Sequence, residues 1–81
     1  MATQETVIRY IEFRRVGKGN SWYLTPAMER TPTRIDELNA SIAMDLEAKG
    51  EMNAAAYWRD VSNRCIVPVE IKVPQGVEVL A

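Results

Sequence analysis

Hydrophobic and polar positions alternate most cleanly toward the end of the chain. Val67, Val69, Ile71 and Val73 are apolar, with Pro68, Glu70, Lys72 and Pro74 set between them. A period of two predicts a strand with one buried face. Pro68 confines that strand to a sheet edge or occupies a position without a ladder bond. Gln75-Gly76 is a turn signal, and Val77 to Leu80 is a candidate short return strand. Near the other terminus, Thr6 to Val16 is rich in β-branched and aromatic residues, and a second short run spans Ser21 to Thr25. The Gly17-Lys18-Gly19-Asn20 connector between them predicts a β-hairpin. Val7, Ile8 and Ile11 also fit a helical stripe, so a helix over 5–16 is the competing reading.

The middle of the chain changes period. Pro26 to Pro32 reads as a connector, because proline at both ends removes backbone donors. Thr33 is the expected N-cap of a helix that places Asp36 and Glu37 in its first turn, where the helix dipole favours acids. Ile35, Leu38, Ile42 and Leu46 recur at spacings of three and four and form its apolar face. Lys49-Gly50 closes it, with glycine available for the left-handed position after the last turn. A second helix is expected from about Met52 to Asn63, with Ala54, Trp58, Val61 and Cys65 as its stripe. The stretch Glu47-Ala48-Lys49-Gly50-Glu51-Met52-Asn53-Ala54-Ala55-Ala56-Tyr57-Trp58 resembles the turn between the antiparallel helices of a tetratricopeptide-type repeat. The resemblance covers this turn alone and implies an αα-hairpin, since one copy is not a solenoid. A single helix running through Gly50 is the alternative. The expected fold is therefore a single α+β domain over 1–81. It has the order ββααβ(β): a small antiparallel or mixed sheet, made of a β-hairpin plus a C-terminal strand or strands, packed on an αα-hairpin.

Composition narrows the possible chemistry. At 81 residues a chain buries roughly 60–65% of its unfolded surface and is marginal without a staple. There is one cysteine and no histidine, so an internal disulfide, a Cys/His zinc site and any Ser-His or Cys-His couple are excluded within one chain. Cys65, expected just past a helix C-terminus and on an apolar stripe, reads as a buried structural thiol. Asp36-Glu37 and Glu47 with Glu51 read as dipole partners and solvated surface in preference to a Mg²⁺ site. The Gly17–Asn20 loop lacks the spacing of a phosphate-binding loop. No cofactor and no metal are expected, and the chain is not expected to be an enzyme. The first twenty residues carry no apolar leader core and no run is long enough to span a bilayer, which makes a cytoplasmic location the expectation.

Net charge is −1, unevenly spread. Residues 1–34 carry six basic and three acidic side chains, and residues 35–81 carry four basic and eight acidic. An anionic partner for the first half, attraction between the halves, and chance all fit this pattern. Two features point to binding. The first strand has Val7, Ile11 and Phe13 at odd positions and Ile8 and Tyr10 at even ones, so it is apolar on both faces. A second copy of the chain or a protein partner would cover Ile8 and Tyr10, unless the strand is central and covered by its own chain. At the hairpin tip, Arg14, Arg15 and Lys18 lie near Trp22 and Tyr23, a combination suited to a protein-binding hot spot and also to a nucleic-acid backbone. Trp22 is expected toward the core and Tyr23 outward. Arg14, Arg15, Lys18 and Tyr23 are the candidate partner-binding residues. The expected function is a small regulator, adaptor or inhibitor of a larger protein. Bacterial and phage accessory proteins that block a host enzyme or a CRISPR complex are of this size. Nucleic-acid binding through the basic hairpin is the alternative, disfavoured by the net charge.

Overall fold

A strand with large side chains on both faces needs neighbours on both sides, and β1 (Thr6–Val16) has them. In the computed structural model, which describes residues 5–79, β1 lies between β2 (Ser21–Glu29) and β3 (Arg64–Lys72). The sheet order is β2-β1-β3, antiparallel throughout. Helices α1 (Pro32–Ala48) and α2 (Met52–Arg59) complete the order ββααβ, an α+β fold with helices packed on a sheet. Helix 5–16, the competing reading, is not formed.

The β1–β2 turn is set by Gly17, whose φ of 67° lies in the left-handed region where a Cβ is costly. Pairing runs from Val16↔Ser21 to Phe13↔Leu24, then resumes at Ile11↔Met28. Thr25, Pro26 and Ala27 therefore face Glu12 alone, and the Thr25 hydroxyl donates to the Glu12 carbonyl at 2.8 Å. This bulge accommodates Pro26, which has no amide to lose. The expected connector 26–32 is thus mostly strand. On the other side β3 starts at Arg64, three residues before the alternating run. Pro68 sits opposite Tyr10 on an edge strand, as its chemistry requires. No strand follows among residues 74–79, where the Val77 amide donates to the Pro74 carbonyl in a turn. Leu80 lies outside the described residues.

Helix α1 begins two residues earlier than expected. Thr31 is the N-cap, its hydroxyl accepting from the Arg34 amide at 3.2 Å, and Pro32 opens the helix with its fixed φ. Asp36 and Glu37 consequently lie beyond the first turn, where they pair with Arg64 and Arg34. The expected stop is present: Lys49 is the C-cap and Gly50 adopts φ 79°. Helix α2 ends at Arg59, short of Asn63. Asp60 leaves helical geometry and its carboxylate accepts from both the amide and the hydroxyl of Ser62, which starts a separate 3₁₀ turn over Val61–Asn63.

The buried stripes also differ from the expected ones. On α1 the buried line is Ile35, Asn39 and Ala43, while Ile42 is exposed. On α2 it is Ala55, with Val61 exposed. Small residues, Ala43 and Ala55, are the most fully shielded positions of the two helices, which pack against each other. Cys65 is not a buried thiol past a helix end. It lies on β3 and is exposed.

Candidate functional site: a charged covered face and an apolar open face

Alternation along β1 makes two faces, and the helices cover the one that carries Glu12 and Arg14. Glu12 and Arg14, two residues apart on the same face, are both buried, Arg14 completely. Arg14 Nη1 donates to Glu12 Oε2 at 3.2 Å, and Asn39 Nδ2 on α1 donates to the same oxygen at 2.7 Å. The Arg14 guanidinium carbon lies 3.9 Å from the centre of the Trp58 ring and 4.9 Å from that of Tyr57, both on α2. The two rings meet edge to face at 87°. The Tyr57 hydroxyl donates to the Arg15 carbonyl at 2.6 Å. The sheet is thus joined to both helices through one carboxylate and one cation. Among the described residues Arg14 Nε and Nη2 find no hydrogen-bond acceptor, and the guanidinium rests against aromatic surface instead.

Strand pairing identifies the residues on the opposite face. On β1 these are Val7, Arg9, Ile11, Phe13 and Arg15. Trp22, Leu24 and Met28 of β2 stand beside Arg15, Phe13 and Ile11. On β3, Cys65, Val67, Val69 and Ile71 stand beside Phe13, Ile11, Arg9 and Val7. Neither helix lies on this face, and no other helix or strand of the described residues covers it. Ile11, between Met28 and Val67 in the register, is nonetheless only 8% exposed. Toward the edges shielding falls away: Leu24 is 55% exposed and Met28 47%.

The expected binding residues are therefore divided. Ile8 and Tyr10 lie on the helix side, where Ile8 is exposed and Tyr10 half-buried. The face without a helix is the one carrying Val7, Ile11 and Phe13, of which Ile11 is buried and the other two half-buried. Arg14, expected at a surface tip, is withdrawn into the network. Arg15 points to the open side, stacks 4.9 Å from the Trp22 ring and donates from Nη2 to the Ser62 carbonyl at 2.9 Å. Lys18 is exposed in the turn. Tyr23 is exposed but on the helix side, opposite Arg14, with its phenol held above the ordinary value by burial first and by the neighbouring Tyr57. Trp22 is half-buried on the open face, not in the helix–sheet core. Glu12, Asn39, Tyr57 and Trp58 are not among the binding residues expected from sequence, where Trp58 counts only as part of the apolar stripe of the second helix, broadened by Tyr57. The available signal was the pair Glu12 and Arg14, charged residues at even positions on either side of the apolar Phe13.

Two clefts flank the network. One of about 200 Å³ between β2 and α1 is lined by Ala27, Ile35, Leu38, Ile42 and Trp58, with Glu12 and Asn39 at its base. The other, of about 180 Å³, lies between Asn39, Trp58 and the ion pair of exposed Asp36 with half-buried Arg64. Among the described residues, no three of His, Cys, Asp and Glu gather as metal ligands would, and no helix is long and apolar enough to cross a membrane. Comparison with protein-family models, curated proteins and solved structures finds no match for this chain.

Proposed function

We propose that this chain is a non-enzymatic protein-binding module, of the regulator, adaptor or inhibitor type, whose binding surface is the open apolar face of the sheet. One observation carries the reading: the helices cover Glu12 and Arg14, while the opposite face, with Ile11, Phe13, Val67 and Val69 at its middle and the exposed Leu24, Met28 and Ile71 around them, has no helix or strand of the described residues packed on it. A folded domain hides its apolar face and solvates its charged one, and an apolar surface left bare marks a contact with another molecule. The hairpin supplies weaker support for nucleic-acid binding than the sequence suggested, because Arg14 is buried and Arg15 is folded onto Trp22 and Ser62.

The test compares baits in a lysate of the source cell. Wild-type chain and Lys18→Glu are expected to retain one specific protein, while Val67→Lys and Leu24→Lys lose it. Equal capture by all four baits would remove the open face from the function. Loss with Lys18→Glu together with release by moderate salt would transfer the function to nucleic-acid binding.

A further inference from the structure

Resting on that reading of the open face, we propose that its occupant is a second copy of this chain, docked sheet to sheet about a two-fold axis with the helices outward.

Area is the first argument. The chain exposes 6141 Å², about 1,200 Å² more than a compact chain of 9.2 kDa is expected to leave in water. A standard interface removes about 800 Å² from each partner, so one face-to-face contact takes up most of the surplus. The radius of gyration points the same way, at 16.3 Å against about 12 Å for a compact chain of this length. Among the described residues the buried apolar side chains are Ile11, Ile35, Ala43, Ala55 and Val73, a small core for a domain standing alone.

Charge is the second argument. The open face carries no carboxylate on any of its three strands, and its two cations, Arg9 and Arg15, lie on either side of Ile11 and Phe13 along β1. Each is turned onto its own chain: Arg9 Nη1 donates to the Ile8 carbonyl at 3.0 Å and Arg15 Nη2 to that of Ser62 at 2.9 Å. Apposed copies therefore bring Ile11, Phe13 and Val67 together at the centre with a guanidinium group on either side along β1, an arrangement that a two-fold axis makes self-complementary. An acidic partner would meet cations that are already engaged.

Edge geometry separates face docking from strand addition. Both outer strands contain a proline, Pro26 on β2 and Pro68 on β3, and each interrupts the ladder a neighbouring strand would need. Two twisted sheets can instead pack about 10 Å apart with aligned strands.

Light scattering on the full chain across a concentration series tests this. Wild type is expected at twice the 9.2 kDa chain mass, with Val67→Lys and Leu24→Lys at half the wild-type value and Ile8→Glu, on the helix side, still paired. A second measurement needs no variant: alkylation of Cys65, which lies on the open face, slows as rising protein concentration converts monomer to dimer. A wild-type chain at single-chain mass throughout overturns the proposal. Binding of an apolar dye by that monomer, lost in Val67→Lys, would leave the face open for a different protein and preserve the broader reading. A monomer that binds no dye would sink both.

Discussion

The guanidinium carbon of Arg14 lies 3.9 Å from the centre of the Trp58 ring, fully out of water, and this contact ties the middle strand to the second helix. A desolvated cation on an indole face contributes about 2 kcal/mol. Against it stands the cost of burying a charge, which runs to several kcal/mol per ion. The Glu12 carboxylate and the aromatic faces offset that cost only in part, since Nε and Nη2 have no acceptor among the described residues. The cluster is therefore better understood as fixing how the helices sit on the sheet than as a source of stability.

Removing one member should expose that imbalance. Arg14→Met leaves Glu12 buried with Asn39 as its remaining side-chain donor and is expected to cost about 3–5 kcal/mol. Glu12→Leu combined with Arg14→Met removes both charges and should recover most of that loss. Urea denaturation of the two variants checks this. A double variant no more stable than Arg14→Met would show that the two charges are not coupled.

The helix ends give a sharper local test. Thr31→Ala removes the hydroxyl that accepts from the Arg34 amide and is expected to cost about 1 kcal/mol, while Thr33→Ala, inside the first turn, should be near neutral. Gly50→Ala meets no atom within 4 Å, so its cost of about 1–2 kcal/mol comes from the left-handed backbone alone. Thermal melts of the three variants rank them. An equal loss at Thr33 would move the cap back to where sequence placed it.

Asp60 should make the junction before β3 sensitive to acid. Its carboxyl is held below the ordinary value by hydrogen bonds from the Ser62 amide first and the Ser62 hydroxyl second. A lowered folded-state value means the stabilisation is complete above the ordinary carboxylate range and is lost as pH falls through the lowered one. Protection factors of the amides over 61–63, taken against the intrinsic exchange rate at each pH, are therefore expected to fall on acidification in wild type and to lose that dependence in Asp60→Asn. A pH-independent protection factor in wild type would contradict the assignment.

At the hairpin, neighbouring cations should behave differently. Lys18→Glu sits in an exposed turn and is expected to change stability by no more than about 0.5 kcal/mol. Arg15→Glu gives up its stacking on Trp22 and its bond to the Ser62 carbonyl and is expected to cost about 1–2 kcal/mol. Chemical denaturation of both variants separates them. Equal effects would mean that Arg15 is a free surface cation.

Much of the fold is legible in local signals. Gly17 marks the first turn, Gly50 the break between helices and Pro68 an edge strand, because each residue type permits few backbone conformations. Errors arise where a competing local partner decides. Thr31 displaces Thr33 as cap because Pro32 follows it, Asp60 ends α2 by binding Ser62, and the bulge opposite Glu12 carries β2 through Pro26. Cys65 was misplaced for the same reason: once α2 stops at Arg59, residue 65 falls on a strand and not at a helix end.

The sequence by itself determines the order of elements and which residues share a face, since these depend on periodicity and on backbone preferences within a few positions. Which face of the sheet the helices cover is decided only by tertiary structure. Val7, Ile11 and Phe13 on one side and Ile8 and Tyr10 on the other make both faces of β1 acceptable to an apolar partner. The choice rests on contacts between residues far apart in the chain, Asn39 with Glu12 and Trp58 with Arg14. Those contacts draw the charged face inward and leave Ile11, Phe13 and Val67 outward.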